Sequence, residues 1–393
     1  MRAGMLAMAA AALFAQRAQP VFTTILDDAV SIVGEANGTL YGSTDTQVVS
    51  LAPPASPGGL WTQTVLYQAQ GFVSGLVMNR QAGGLPIFYG LTQNGGTSNL
   101  GALFSLTPPA SPGGAWTETD LYSFSGIDKT SYPSNPSGLV QGGNGVFYGV
   151  TAGVVEGPPP PEGNPATVFS LTPPASPGGA WTQEVLYTYT PANGTTYPLG
   201  NVVRGSGPDG RPVLYGTNID EHSVYELTPP AVPGGSWTPT VIATGGSWSL
   251  VLGKDGILYG TNPGGGADGF GSVFSLTPPA QAGDSWTETT IYSVSGSALG
   301  ITASAIAINP DGVLYATTIS NDGGYPGGAI FSLTPPKTAG NPWTERTLQS
   351  FPASQKFTRG ASPAAPIWIG GVLYGATGQG GPFNTGTVFM VAQ

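Results

Sequence analysis

Two short phrases alternate seven times along this chain, and this repetition limits the fold more than any other feature. The first phrase ends in a tyrosine that precedes glycine or alanine, and the second is an apolar phrase of the type Val-Phe-Ser-Leu. The tyrosines are Tyr41, Tyr89, Tyr148, Tyr215, Tyr259, Tyr315 and Tyr374, and the second phrase starts at Val48, Leu103, Val168, Val224, Val273, Ile330 and Val388. Consecutive tyrosines are between 44 residues (Tyr215 to Tyr259) and 67 residues (Tyr148 to Tyr215) apart. Periods of this size with β-rich content are typical of β-propeller blades.

Each unit divides into four strands, named A to D here in chain order. Strand A is a short apolar run, and an Asn-Gly or Asp-Gly pair such as Asn37-Gly38 or Asp255-Gly256 follows it. These pairs tolerate positive φ and therefore predict two-residue hairpins. Strand B carries the tyrosine, strand C carries the apolar phrase and ends at Pro-Pro, and strand D begins after a recurring Trp-Thr. The sequence predicts an all-β fold, a seven-bladed β-propeller of four-stranded antiparallel blades.

The strand count indicates how the ring closes. Strands A, B and C occur seven times, but strand D follows only six of the C strands before the sequence stops at Gln393. The segment Phe22 to Leu26 resembles strand D. We therefore expect an N-terminal strand to complete the last blade, which removes exposed sheet edges.

The first residues differ from the repeats. Arg2 precedes an Ala-rich apolar stretch, and small residues follow it. This pattern predicts a signal peptide over residues 1–18 and one propeller domain over residues 19–393. The predicted location is extracellular, at the cell surface or in the periplasm, and the stretch is too short for a membrane anchor.

Composition excludes several classes of function. Only 8% of residues are charged and the formal net charge is −10, whereas nucleic-acid and anionic-membrane surfaces need clustered Lys and Arg. The absence of Cys excludes disulfides and Cys-based metal sites. We expect a monomer that neither binds nucleic acid nor inserts into a membrane.

The repeats resemble a known family. Leu-Tyr-Gly-Thr, a Gly-rich loop and then Gly-x-Val-Phe-Ser-Leu-Thr-Pro are similar to the GloVer tandem repeat, most clearly over residues 257–279. The resemblance covers about residues 28–393. It implies a bacterial, extracellular protein, and it carries no defined activity or catalytic residues.

The recurring aromatics are interpreted as structural. We expect the tryptophans that precede strand D to pack between neighbouring blades. The alternative is an outward ring that stacks on sugars. They are Trp61, Trp116, Trp181, Trp237, Trp286 and Trp343.

Variation is concentrated on one face of the predicted ring. The B–C and D–A connections lie together on this loop face, and the A–B and C–D connections lie on the opposite turn face. Loops of variable length on a rigid scaffold often carry function. The candidate ligand-binding residues of the loop face are Asp220, Glu221, His222, Trp248, Asp268, Asp322 and Tyr325.

Three interpretations of the acidic loops stay open: a solvated rim, weak Ca²⁺ binding at Gly264 to Gly271 or Asn321 to Gly324, and a recognition patch. No cofactor and no metal residue is otherwise predicted. His222 is the only histidine, which makes a zinc site or a Ser-His-acid triad a weak hypothesis.

The leading hypothesis for function is an exported, non-enzymatic module that binds a glycan or protein ligand. The alternative is a polysaccharide or lactone lyase or hydrolase with its site at the channel mouth, assisted by Ca²⁺. A structural envelope component is the third hypothesis.

Overall fold

The computed structural model of the chain describes most residues of every repeat. The described residues are 21–27, 31–35, 37–44, 46–55, 60–80, 84–111, 113–125, 136–151, 166–189, 202–207, 209–218, 221–232, 234–245, 249–281, 284–295, 302–319, 327–338, 340–351, 361–363, 366–379 and 387–392. The predicted signal peptide, residues 1–18, lies outside them and stays a prediction.

Twenty-nine strands form seven antiparallel sheets in the described residues, and each sheet is one blade. The A strands are β2 (Ser31–Gly34), β6 (Val73–Asn79), β10 (Pro136–Gln141), β14 (Val203–Ser206), β18 (Ser249–Leu252) and β22 (Thr302–Ile308), with β26 (Ala361–Pro363) and β27 (Ile367–Ile369) sharing this position in the last blade. The B strands are β3 (Leu40–Ser43), β7 (Ile87–Thr92), β11 (Phe147–Thr151), β15 (Pro212–Asn218), β19 (Leu258–Asn262), β23 (Leu314–Ile319) and β28 (Val372–Gln379).

The C strands are β4 (Gln47–Ala52), β8 (Ala102–Thr107), β12 (Ala166–Thr172), β16 (Ser223–Thr228), β20 (Ser272–Thr277), β24 (Ala329–Thr334) and β29 (Thr387–Ala392). The D strands are β5 (Thr62–Gln68), β9 (Thr117–Ser123), β13 (Thr182–Tyr189), β17 (Thr238–Thr244), β21 (Thr287–Ser293), β25 (Thr344–Ser350) and β1 (Val21–Asp27). A 3₁₀ turn covers Gly143–Gly145. A strands of adjacent blades contact one another, as β2 and β6 do, so the A strands line the ring axis. The predicted seven-bladed propeller is confirmed.

The last blade joins the two ends of the chain. Its strand order is β1, β29, β28 and β26, with β27 also paired to β28. β1 pairs antiparallel with β29 from Val21 opposite Ala392 to Asp27 opposite Thr387. The expected closure by an N-terminal strand is therefore confirmed.

In the blade interior, a phenylalanine on strand C packs over a glycine on strand B. The glycine after the strand B tyrosine lies opposite the C-strand phenylalanine, as Gly149 lies opposite Phe169. A Cβ built on Gly149 would lie 2.5 Å from Cζ of Phe169, so glycine leaves room for the ring. Phe169 is fully buried and also contacts Phe124 of the preceding blade, with ring centroids 5.3 Å apart. Each blade therefore packs on its neighbour through large apolar side chains.

The tryptophans also pack at the seams between blades. Trp237 meets Tyr148 of the preceding blade at 6.5 Å between ring centroids, and Trp286 meets Tyr215 at 5.7 Å. Trp61 of the first blade contacts Tyr374 of the last at 6.3 Å, across the closure of the ring. The expected packing between blades is confirmed, since these rings contact protein rather than point outward.

The A–B hairpins agree with the prediction only in part. In the third blade, Asn144 and Gly145 both have positive φ (+56° and +75°) and Val146 N–H donates to Gly143 O at 3.1 Å, which is the expected two-residue turn. In the first blade, Glu35 N–H donates to Thr39 O at 2.8 Å and Gly38 N–H donates to Glu35 O at 2.9 Å, so the loop has three residues rather than two. Gly38 has a φ of +88°, whereas Asn37 does not lie in the left-handed region. The expected two-residue hairpin is wrong here, because a three-residue loop needs positive φ only at its last residue.

No helix in the described part of the chain is long and apolar enough to cross a membrane.

Candidate functional site

Every blade closes its B–C connection with a polar residue three positions after the strand B tyrosine. The side-chain oxygen of this residue accepts a hydrogen bond from a backbone N–H in the B–C connection or at the start of strand C. Thr92 accepts from Ala102 at 3.1 Å, and Thr318 accepts from Ala329 at 3.0 Å. The seven residues are Thr44, Thr92, Thr151, Asn218, Asn262, Thr318 and Thr377. They anchor the loops, and their oxygens are occupied by backbone donors.

Two carbonyl groups of the Gly264 to Gly271 loop, a candidate for Ca²⁺, already accept backbone hydrogen bonds. Gly271 N–H donates to Gly265 O at 2.9 Å, and Val294 N–H of the outer strand's end donates to Gly271 O at 2.9 Å. Asp268 is exposed on this loop. No group of three or more His, Asp and Glu side chains lies close enough to hold a metal ion within the described ranges.

The fourth blade has a short B–C turn that presents an acid and the only histidine. Asn218 is 3% exposed and its Oδ1 accepts from Glu221 N–H at 3.1 Å. Gly245 N–H donates to the carbonyl of His222 at 2.7 Å. His222 has a φ of +51°, a left-handed conformation that is uncommon for residues other than glycine. Strained backbone of this kind is concentrated at functional sites, and here it holds two exposed side chains, Glu221 and His222, on the loop face.

Tyr187 of the third blade lies near this turn. Burial, and then the negative charge of Glu221, raise the pKa of the Tyr187 hydroxyl above its ordinary value. Tyr187 also lies beside Tyr225, with ring centroids 6.4 Å apart. The turn of the fourth blade therefore lies near Tyr187 of the third blade, which packs in turn on Tyr225.

The fourth blade departs from the repeat at several polar positions. Tyr225 stands where five blades have phenylalanine, and Glu226 stands where five blades have serine. Four buried side-chain polar atoms lack a hydrogen-bond partner in the part of the chain that the structure describes, and three belong to this blade. They are Arg204 Nε, Thr217 Oγ1 and Tyr225 Oη, with Ser43 Oγ of the first blade as the fourth.

Tyr225 offers a test of these unpaired groups. Its side chain is buried, and burial raises its pKa because the charged form is disfavoured. An unpaired buried hydroxyl costs about 1–3 kcal/mol. We expect Tyr225→Phe to raise the free energy of unfolding by about 1 kcal/mol, measured by urea denaturation. Phe274→Tyr in the fifth blade is the converse control and should lower stability; a less stable Tyr225→Phe variant would show that the hydroxyl has a partner.

The predicted site residues divide into three groups. Glu221 and His222 share one turn, and Asp268 lies in the B–C loop of the next blade. Asp220, Trp248, Asp322 and Tyr325 lie outside the described residues, as does the candidate Ca²⁺ segment Asn321 to Gly324. Sequence reasoning missed Tyr187 and Tyr225; the break of the Val-Phe-Ser-Leu phrase at Tyr225 was the available signal.

No protein-family model and no curated protein matches the sequence. The GloVer resemblance therefore stays a prediction. Among solved structures, a protein of Bacteroides fragilis described as a candidate 6-phosphogluconolactonase is 16% identical, with a TM-score of 0.51 over 92% of this chain and 89% of its own. A gluconolactonase of Xanthomonas campestris is 14% identical, with a TM-score of 0.45 over 97% of this chain and 92% of its own. A candidate oxidoreductase (glucose dehydrogenase) of Thermus thermophilus is 15% identical, with a TM-score of 0.43 over 95% of this chain and 99% of its own.

The likeness with the TM-score of 0.51 agrees with the propeller fold. The leading hypothesis of a non-enzymatic binding module is wrong on this comparison, because the structure with the TM-score of 0.51 is described as a candidate 6-phosphogluconolactonase. The composition-based argument weighed only the small number of catalytic residue types, and a count of residue types does not show how side chains are arranged in space.

Proposed function

We propose that this protein is a hydrolase of cyclic esters, with sugar-acid lactones as the substrate class, and that its site lies on the loop face at the fourth blade. The observation that carries the proposal is the strained Glu221-His222 turn, which projects the only imidazole and an adjacent carboxylate from a rigid scaffold. The description of the Bacteroides fragilis propeller as a candidate lactonase supports the reaction class by analogy of fold.

The chemistry requires one group that accepts a proton. Water attacks the lactone carbonyl while a base removes its proton, the ring C–O bond breaks, and the proton passes to the leaving alkoxide to give a hydroxy acid. The Glu221 carboxylate and the His222 imidazole are both able to accept and return a proton. Backbone hydrogen bonds from Glu221 N–H to Asn218 and from Gly245 N–H to His222 hold the turn in place.

The test measures acid release in a pH-stat with glucono-δ-lactone, 6-phosphoglucono-δ-lactone and galactono-γ-lactone, with Ca²⁺ and with EDTA. We expect the full chain to hydrolyse at least one lactone faster than the buffer does. Removing the base, by His222→Ala or Glu221→Gln, should lower kcat/KM by about 10²–10⁴-fold.

Asp209→Asn is the matched control, because Asp209 is an exposed acid of the A–B turn on the opposite face. It should leave turnover unchanged. Hydrolysis that survives both loop-face substitutions would place the site elsewhere, and no turnover of any of the three lactones would overturn the proposal.

A further inference from the structure

The seven D strands are the outer edges of their blades. Among the described residues, each D strand pairs with one neighbour, the C strand of its blade, so its other edge presents unpaired backbone groups. An exposed edge pairs with other strands unless charged side chains, proline or bulges prevent it. All seven D strands have a register shift beside strand C, so this bulge does not distinguish one edge from another.

Six of these edges carry a further guard, which is a charged residue or a proline. The guards are Glu118 and Asp120 in β9, Glu184 in β13, Pro239 in β17, Glu288 in β21, Glu345 and Arg346 in β25, and Asp27 at the end of β1. The strand β5, Thr62–Gln68, contains neither a charged residue nor a proline. It is therefore the least protected outer edge of the ring.

The first blade also exposes large apolar side chains beside this edge. Val65 of β5 is 50% exposed, and Leu60, which directly precedes the blade's tryptophan, is 91% exposed. Val241 of β17 is exposed to a similar extent, 57%, but Pro239 guards its strand. An uncharged edge and exposed apolar side chains therefore coincide in the first blade, and burial of such side chains against a partner is favourable.

The fourth blade shows which backbone groups of β5 point outward. Pro239 lies opposite Leu227, and Gln63 lies opposite Leu51 at the same register. Proline has no N–H, so pairing with strand C does not require a donor at this register. Because alternate residues of a strand direct their backbone groups to opposite sides, the N–H and C=O groups of Gln63 and Val65 both face the open edge.

We propose that β5 is a self-association edge, on which β5 of a second copy of this chain pairs antiparallel about a twofold axis at Thr64. In this register Gln63 of each copy exchanges backbone hydrogen bonds with Val65 of the other, and the two Thr64 residues lie opposite each other. The interface uses the same patch on both copies and therefore closes at a dimer. This differs from the monomer expected from composition.

Two observations favour a second copy as the occupant. The partner must be a strand that has an unguarded edge of its own, and β5 is the D strand with that property. The chain also has a formal net charge of −10, so two copies repel each other. Pairing through an edge without charged side chains adds no further repulsion at the contact.

The first experiment is sedimentation equilibrium of the full chain. We expect the average mass to rise toward that of a dimer between about 5 and 500 µM, because one strand pair is a small interface. Gln63→Pro copies the guard of β17 and should weaken association at least about tenfold, since each copy loses an outward backbone donor. Val65→Asp copies Asp120 of β9, which occupies the same register, and should have the same effect. Val241→Asp in β17 is the matched control and should leave association unchanged.

The second experiment locates the axis by cross-linking. The chain contains no cysteine, so one introduced thiol reports one position. Thr64→Cys places two thiols at a pair without hydrogen bonds between its residues, where Cα atoms lie about 4.5 Å apart, within the range of a disulfide. Diamide should cross-link this variant at least about tenfold faster than Thr240→Cys, the matching residue of β17, because Pro239 hinders pairing there.

Three results would overturn the proposal. The first is a chain that stays monomeric up to about 500 µM, as it would if a strand of another protein were the partner of β5. The second is association that neither Gln63→Pro nor Val65→Asp weakens, which would place the contact on another surface. The third is cross-linking of Thr64→Cys no faster than that of Thr240→Cys.

Discussion

A variant that begins at residue 28 is expected to lose at least about 5 kcal/mol of folding free energy, because it removes β1. β1 supplies the outer strand of the last blade and pairs with β29 at six positions. Each backbone hydrogen bond lost is worth about 0.5–1.5 kcal/mol, and the packing of the strand adds to this. The exposed edge of β29 would also become a template for association between chains.

The measurement is a thermal melt followed by circular dichroism, with size-exclusion chromatography to detect aggregates. A synthetic peptide of residues 19–28, added in trans, should restore the melting temperature in a concentration-dependent way, because it binds only the folded ring. A scrambled peptide is the control. A variant that begins at residue 19 should have the same melting temperature as the full chain. If the variant that begins at residue 28 also had this melting temperature, the closure would contribute little to stability.

The repeat made most of the fold predictable because each strand position has the same neighbours in every blade. Tyr215 lies opposite Val203 and Glu226, and Tyr259 lies opposite Val251 and Ser275, so one blade predicts the register of the next. The closure was predictable from the strand count, since the seventh C strand had no D strand after it. The A–B turn of the first blade was mispredicted because an Asn-Gly pair fits both two-residue and three-residue loops, and only backbone hydrogen bonds distinguish them.

The candidate site was less predictable from the sequence. It depends on contacts between the third and fourth blades that do not recur in the other repeats. His222 was visible as the only histidine and Glu221 as its neighbour. The tyrosine beside them, Tyr187, belongs to the preceding blade, and the burial that raises its pKa is a property of the assembled ring.

Phe169→Ala is expected to destabilise the protein by about 3–5 kcal/mol, the usual cost of truncating a fully buried phenylalanine. The ring fills the space over Gly149 and contacts Phe124 across the seam between the second and third blades. Its loss leaves a cavity that the rigid strands of two blades cannot collapse around. Urea denaturation measures the change, and Thr119→Ala, an exposed outer-strand substitution, should stay within about 0.5 kcal/mol of the unaltered chain.

A double-mutant cycle tests whether Phe169 and Gly149 are complementary in shape. Gly149→Val alone should destabilise, because a Cβ at this position would lie 2.5 Å from the phenylalanine ring. In the Phe169→Ala background the same valine partly fills the cavity, so the two changes together should cost less than their sum by more than about 1 kcal/mol. Additive costs would mean that the strands move apart to accommodate each change. The sixth blade has Ala316 opposite Phe331, so this pairing accepts one methyl group in place of the glycine hydrogen. The bulkier valine side chain is expected to be too large for the space beside the phenylalanine ring.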